Sequence, residues 1–156
     1  DKLMVVSGME ITTNVGDVIA LFVEEQIRSK EFSTVIKEIR EQNGIVYLPH
    51  PFRGRRSISL DLIKEIDVFE VYNGRSQGIN IQDDQFGNHE IVSFAMGNTL
   101  TGVGGSDAHH EKDLFKVVTY VPSFNNEKEF KNILLSNRIF PVYENGEPIE
   151  ATMDLY

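Results

Sequence analysis

The sequence predicts an α/β fold, and three observations lead there. Short apolar runs bounded by glycine and polar residues alternate with stretches of helical period, the pattern that packs strands and helices in layers around one core. At 156 residues the chain suits one domain, residues 1–156, with no internal repeat and no linker rich in Pro, Gly or Ser. Hydrophobic residues make up 40% and charged residues 25%, enough for a real core and against disordered or fibrous classes.

Residues 3–11 and 17–23 read as strands, short apolar runs separated by Gly8, Gly16 and polar neighbours. Over 33–42 Val35, Ile36 and Ile39 recur at helical spacing, with Ser33 as the expected N-cap and Asn43-Gly44 as the stop. Residues 45–48 form a buried strand that delivers Pro49-His50-Pro51. Leu60, Ile63 and Ile66 mark a short helix, followed by a strand over 68–72. A longer helix is expected within 77–96, with Gly78, Gly87 and Asn88 blurring its limits. Residues 100–103 and 116–121 are the next strands, 126–136 a helix and 138–142 a last strand. Such alternation favours mostly parallel strands, whose C-terminal ends carry the working groups of α/β folds. Glu10, His50, Glu70 and the pair Asp107 and His109 are all expected at such ends.

Composition then narrows the chemistry. Cysteine is absent, so disulfides, thiolate metal sites and Cys nucleophiles are excluded, and any metal must be held by His, Asp and Glu. Ligands of that type suit zinc, manganese or iron. A net charge of −9 weighs against a broad nucleic-acid surface, although local arginines can still bind a small anion. No apolar stretch approaches the roughly 20 residues of a membrane span and no signal pattern opens the chain, so a soluble, cytoplasmic protein without a membrane partner is expected.

Gly104-Gly105-Ser106-Asp107-Ala108-His109-His110 places a carboxylate and an imidazole two residues apart after an apolar run. If the Gly pair turns the backbone at the strand end, Asp107 and His109 converge as metal ligands; the alternative is a turn whose Asp bonds only local amides. Arg53, Arg55 and Arg56 follow His50, and Arg75 follows Asn73. Arg75 and Arg53 are candidates for bidentate phosphate contact, against a solvated face for the loop arginines. Glu70 either orients a ligating histidine or is a buried carboxylate bonded to backbone. His110 points away from His109, as a supporting, substrate-facing or exposed group, and His89 is expected at the surface.

Four motifs in order, Gly8-Met9-Glu10-Ile11-Thr12-Thr13, Pro49-His50-Pro51-Phe52, Glu70-Val71-Tyr72-Asn73-Gly74-Arg75 and Gly105-Ser106-Asp107-Ala108-His109, resemble the PHP (polymerase and histidinol phosphatase) family, especially its stand-alone phosphoesterase branch. The resemblance implies a distorted (β/α) barrel with divalent metal ions, two or three in an intact site, at its C-terminal face. It implies Glu10, His50, Asp107 and His109 as metal ligands, with Asp107 and His109 in the catalytic set. Paired cations of this kind polarise a phosphoryl group and stabilise the leaving oxygen. The family's opening His-X-His motif, and the Asp and His that follow it, have no counterpart here, so the chain reads as a C-terminal portion whose barrel lacks its N-terminal strands. Where relatives carry Gly-His, this chain has Gly16-Asp17; Asp17 is either a replacement ligand or a solvated strand start.

The resemblance therefore implies a metal-dependent phosphoesterase acting on a small phosphorylated metabolite or nucleotide. The alternative is a non-catalytic fragment that binds metal or a partner, either the missing N-terminal segment or another copy of the chain. A DNA exonuclease module ranks last, because the acidic balance opposes a long polyanion.

Overall fold

In a computed structural model, which describes residues 3–51, 59–75, 78–79, 101–136 and 138–149, the chain forms a mixed α/β fold. Two strands open it as a hairpin, β1 (Gly8–Thr12) and β2 (Asp17–Leu21), paired antiparallel in the register Glu10↔Ile19 and Thr12↔Asp17. The link over 13–16 is closed by Thr13, whose N–H and hydroxyl both donate to the Gly16 carbonyl, at 2.9 and 2.5 Å.

Helix α1 (Phe32–Glu41) follows, burying Phe32, Val35, Ile36 and Ile39 on one stripe at i, i+3, i+4 and i+7 spacing. Its N-cap is Glu31, not Ser33: the Glu31 carboxylate accepts the Thr34 N–H at 3.0 Å and the Ser33 hydroxyl at 2.5 Å. Those bonds hold the Glu31 carboxyl below its usual pKa. At the other end Asn43 takes a positive φ of 55°, and the N–H groups of Asn43 and Gly44 return to the carbonyls of Arg40 and Ile39. This is the Schellman arrangement expected of an Asn-Gly stop.

β3 (Ile45–Leu48), α2 (Leu60–Ile63) and β4 (Val68–Asn73) come next, then the two-residue β5 (Gly78–Ile79) and β6 (Thr101–Gly105). One six-stranded sheet contains β1 to β6 in the order β1-β2-β3-β4-β5, with β6 also paired to β4. Among the described residues, β3 with β4 and β4 with β6 are the parallel pairs of this sheet, and its other pairs are antiparallel. The expectation of mostly parallel strands is thus corrected. The link over 13–16 is too short for a parallel crossover, and a hairpin is what it can build. Residues 78–79, at the blurred start of the segment 77–96, form a strand; residues 77 and 80–96 of that segment, with His89, lie outside the described residues. Residues 3–7 likewise precede the first strand instead of belonging to it.

β7 (Val117–Tyr120) and β8 (Phe140–Tyr143) form a second, antiparallel pair, joined by α3 (Glu127–Leu134). Side chains dock this pair on β6. The Thr119 hydroxyl bonds both the N–H and the carbonyl of Gly104, and the Ser106 hydroxyl bonds the carbonyl and N–H of Val117. Gly104 is required by this closeness, since a Cβ there would lie 2.6 Å from Pro141 Cβ and 2.7 Å from Val117 Cγ1. Gly104 and Gly105 are strand residues; the left-handed turn comes later, at Asp107 (φ 48°).

The period of two along the strands sorts the sheet into two faces. Ile11, Val18, Ala20, Val46, Leu48 and Phe69 face α1 in the larger core. Ile45, Val68 and Val103 face the other way, under Ile133 and Leu134 of α3 with Phe130 against them. That second face also carries the polar groups of the candidate site.

Candidate metal centre

Register builds the site. Glu10 pairs with Ile19, Ile19 with Tyr47 and Tyr47 with Val68, so these residues share one row across one face of the sheet. Asp17 and Glu70 lie two residues along from Ile19 and Val68, hence on the same face. Glu10 and Glu70 are therefore mid-strand residues, a correction to their expected place at strand ends. His50 and Asp107 do follow strand ends, β3 and β6.

Ligand-capable atoms of Glu10, Asp17 and His50 all lie within 4.8 Å of one another. The His50 imidazole is buried and its Nε2 is 3.4 Å from Glu10 Oε1, while the Glu10 side chain is half exposed. Two carboxylates and one imidazole make a donor set of hard and borderline character that fits a divalent ion. The His50 backbone has a φ of 28° and Asp107 one of 48°, both in the sparsely populated positive region. Strain of that kind is retained where the surroundings over-determine the conformation, as at ligand-holding sites.

Glu70 lies beneath this cluster as a hub. Its carboxylate accepts the His50 main-chain N–H at 2.6 Å, the Tyr47 hydroxyl at 2.9 Å and the Asn73 amide at 3.0 Å. Burial raises its pKa, and the bonds from Asn73, His50 and Tyr47 oppose that rise by favouring the carboxylate. The Tyr47 hydroxyl is pushed well above its usual pKa, first by burial and then by the charges of Glu70, Asp107 and Glu10, so it stays a donor at neutral pH.

Asp107 joins through Asn73, whose Nδ2 also donates to Asp107 Oδ2 at 3.3 Å. His109 Nδ1 lies 2.9 Å from the Asp107 carbonyl and 3.6 Å from Asp107 Oδ1. A carbonyl can only accept, so Nδ1 is the donor in that bond, and in the neutral ring Nε2 would then carry the lone pair. His109 is about half exposed and His110 is exposed, at the cap of a short 3-10 turn over Glu111–Asp113. Arg75 is exposed two residues past Asn73, which accepts its N–H at 3.1 Å. Arg53, Arg55 and Arg56 lie outside the described residues.

The structure thus brings Glu10, Asp17 and His50 into one cluster and connects Asp107 to it through Asn73 and Glu70, with His109 outside the tight three-residue group. Tyr47 and Asn73 are members that sequence reasoning did not assign. Asn73 has no exposed surface, and a fully buried Asn at a strand end signals a polar network.

Comparison with known proteins agrees with this architecture. Residues 86–138 match a family model described as PHP-associated. A crystal structure of a two-domain protein from Bacteroides vulgatus, containing a predicted PHP-like metal-dependent phosphoesterase, superposes with a TM-score of 0.70 at 19% identity, over 88% of this chain and 44% of that one. This chain resembles PHP proteins. At that identity the PHP likeness of the solved structure concerns the fold, and a complete barrel is not seen among the described residues.

Two proteins of Methanocaldococcus jannaschii are also similar. The uncharacterized protein MJ0417 is 32% identical over 83% of this chain and 59% of its own length, and the uncharacterized protein MJ1587 is 37% identical over 44% of each. The chain therefore spans less than two thirds of each relative. Among the described residues, no helix is long and apolar enough to cross a membrane.

Proposed function

We propose that this chain supplies the C-terminal part of a metal-dependent phosphoesterase site acting on small phosphate esters, as a single PHP-like domain portion over 1–156. The observation that carries the reading is the convergence of Glu10, Asp17 and His50, from β1, β2 and the end of β3, within 4.8 Å. These three would hold one divalent ion, zinc, manganese or iron. Asp107 and His109 would line the adjoining position for a second. Bound ions would supply electrophilic polarisation of the phosphoryl group.

The protein's own contribution is placement. Glu70 fixes the main chain at His50, and Tyr47 and Asn73 hold Glu70 in turn. Arg75, exposed beside the site, would bind the non-reacting phosphoryl oxygens through its planar fork of donors. Arg53 and His110 are assigned supporting roles toward the substrate.

The test is hydrolysis of a panel of phosphomonoesters, mononucleotides included, by the full-length product of the gene with manganese or zinc and then with EDTA. Turnover that EDTA abolishes, and that His50→Ala and Asp107→Ala each reduce at least tenfold, supports the reading. Metal-independent turnover, or full activity in both variants, contradicts it.

A second reading, a chain that binds metal and a polypeptide without turnover, is favoured by one observation. A groove of about 630 Å³ on the site face is lined mainly by apolar side chains, among them Leu21, Val103, Val121 and Phe130, and reaches Tyr47 and Gly105 at the centre. An apolar surface beside a polar site suits a covering strand, for which the remaining length of a longer PHP protein is the candidate. Ordered metal binding without hydrolysis of any ester in the panel would select this reading.

A further inference from the structure

We infer that Asn73 is a positioning residue that sets the distance between the two halves of the centre, the Glu10, Asp17 and His50 cluster and the Asp107 and His109 pair. The inference rests on the phosphoesterase reading and adds a residue to it. Asn73 is the last residue of β4, 0% exposed, and its main chain is held on both sides by pairing with Gly105 of β6 and Gly78 of β5.

From that anchor the side chain bonds three different parts of the site among the described residues. Its Nδ2 donates to Glu70 Oε2 at 3.0 Å and to Asp107 Oδ2 at 3.3 Å, and its Oδ1 accepts the Arg75 N–H at 3.1 Å. An amide nitrogen has two hydrogens, so one carboxylate can take each. A neutral double donor between two carboxylates suits this place: it satisfies both without adding charge, where an acid would repel both. Because Glu70 holds the His50 main chain at 2.6 Å, displacing Asn73 moves both groups of candidate ligands relative to each other. Residues that orient metal ligands in this way change affinity by about 10–100-fold when replaced.

The experiment uses the full-length chain, with manganese chloride titrated calorimetrically into wild type, Asn73→Ala and Asn73→Asp at a temperature where circular dichroism shows each folded. We expect both variants to bind manganese at least about tenfold more weakly, with Asn73→Asp the weaker. Affinities within twofold of wild type overturn the inference. A second readout needs no variant: the Asn73 side-chain NH₂ resonance of the wild type should shift on saturation with zinc chloride. If the variants do not fold, an Asn73 resonance unmoved by bound zinc overturns the inference in their place. Wild type that binds neither manganese nor zinc ends the phosphoesterase reading and this inference with it, whereas binding insensitive to Asn73 ends this inference alone.

Discussion

The main-chain N–H of His50 donates to the Glu70 carboxylate at 2.6 Å, so the loop after β3 is tied to the middle of β4 directly beneath the candidate ligands. His50 holds a positive φ there, and the bond is one of the constraints that keep it so. Replacing Glu70 by Ala leaves three donors, on Tyr47, His50 and Asn73, without this acceptor. Unfolding in urea should show a loss of about 3–5 kcal/mol, from donors worth about 1–3 kcal/mol each when left unpaired. Tyr47→Phe removes one donor only and should cost about 1 kcal/mol. Equal losses in the two variants would contradict the hub.

Gly104 and Gly105 should respond differently to an added methyl. At Gly104 a Cβ meets Pro141 and Val117 between the two sheets, so Gly104→Ala should destabilise by about 1–3 kcal/mol through overpacking. At Gly105 the Cβ would lie 2.7 Å from Glu70 Oε1, so Gly105→Ala should displace that carboxylate and weaken manganese binding. Thermal unfolding and calorimetric titration of both variants check the contrast; a Gly105→Ala protein with wild-type affinity would remove Glu70 from the account.

Away from the site, Arg40 of α1 pairs with Asp67 through both terminal guanidinium nitrogens and also donates to the Glu65 carbonyl, while Asp67 accepts the Val46 N–H at 2.8 Å. Asp67→Ala should lower stability by about 1–3 kcal/mol, because a partly buried N–H loses its acceptor along with the ion pair. Metal affinity should be unchanged in the same protein, and a loss there would show that the pair supports the centre too.

Arg75→Ala should raise KM for a phosphoester about tenfold and leave metal content at the wild-type value, since its exposed side chain is assigned to substrate and not to the ion. Steady-state kinetics with metal analysis separates the two effects. A fall in bound metal with KM unchanged would reverse the assignment.

Local pattern made much of the fold legible. The stripe Val35, Ile36 and Ile39 and the Asn43-Gly44 stop located α1, and the apolar run Ile45–Leu48 located β3. The N-cap was harder to read, because Glu31 caps with a longer side chain than the usual Ser, Thr, Asp or Asn. The direction of the first two strands is a local property that overrides the alternating pattern: Thr12 and Asp17 are separated by a link that admits only a hairpin. Asn73 and Tyr47 were not legible, since their roles depend on cross-strand register, with Tyr47 between Ile19 and Val68 and Asn73 opposite Gly105. No spacing along one segment reveals which residues a sheet will set side by side.

The central claim is that Glu10, Asp17 and His50 hold a divalent ion, and calorimetric titration of manganese chloride into the wild-type chain and its Asp17→Asn and His50→Ala variants tests it most directly. The account predicts saturable binding by the wild type and affinity at least about tenfold weaker in each folded variant. Wild-type protein without saturable binding, or both variants with wild-type affinity, would contradict it.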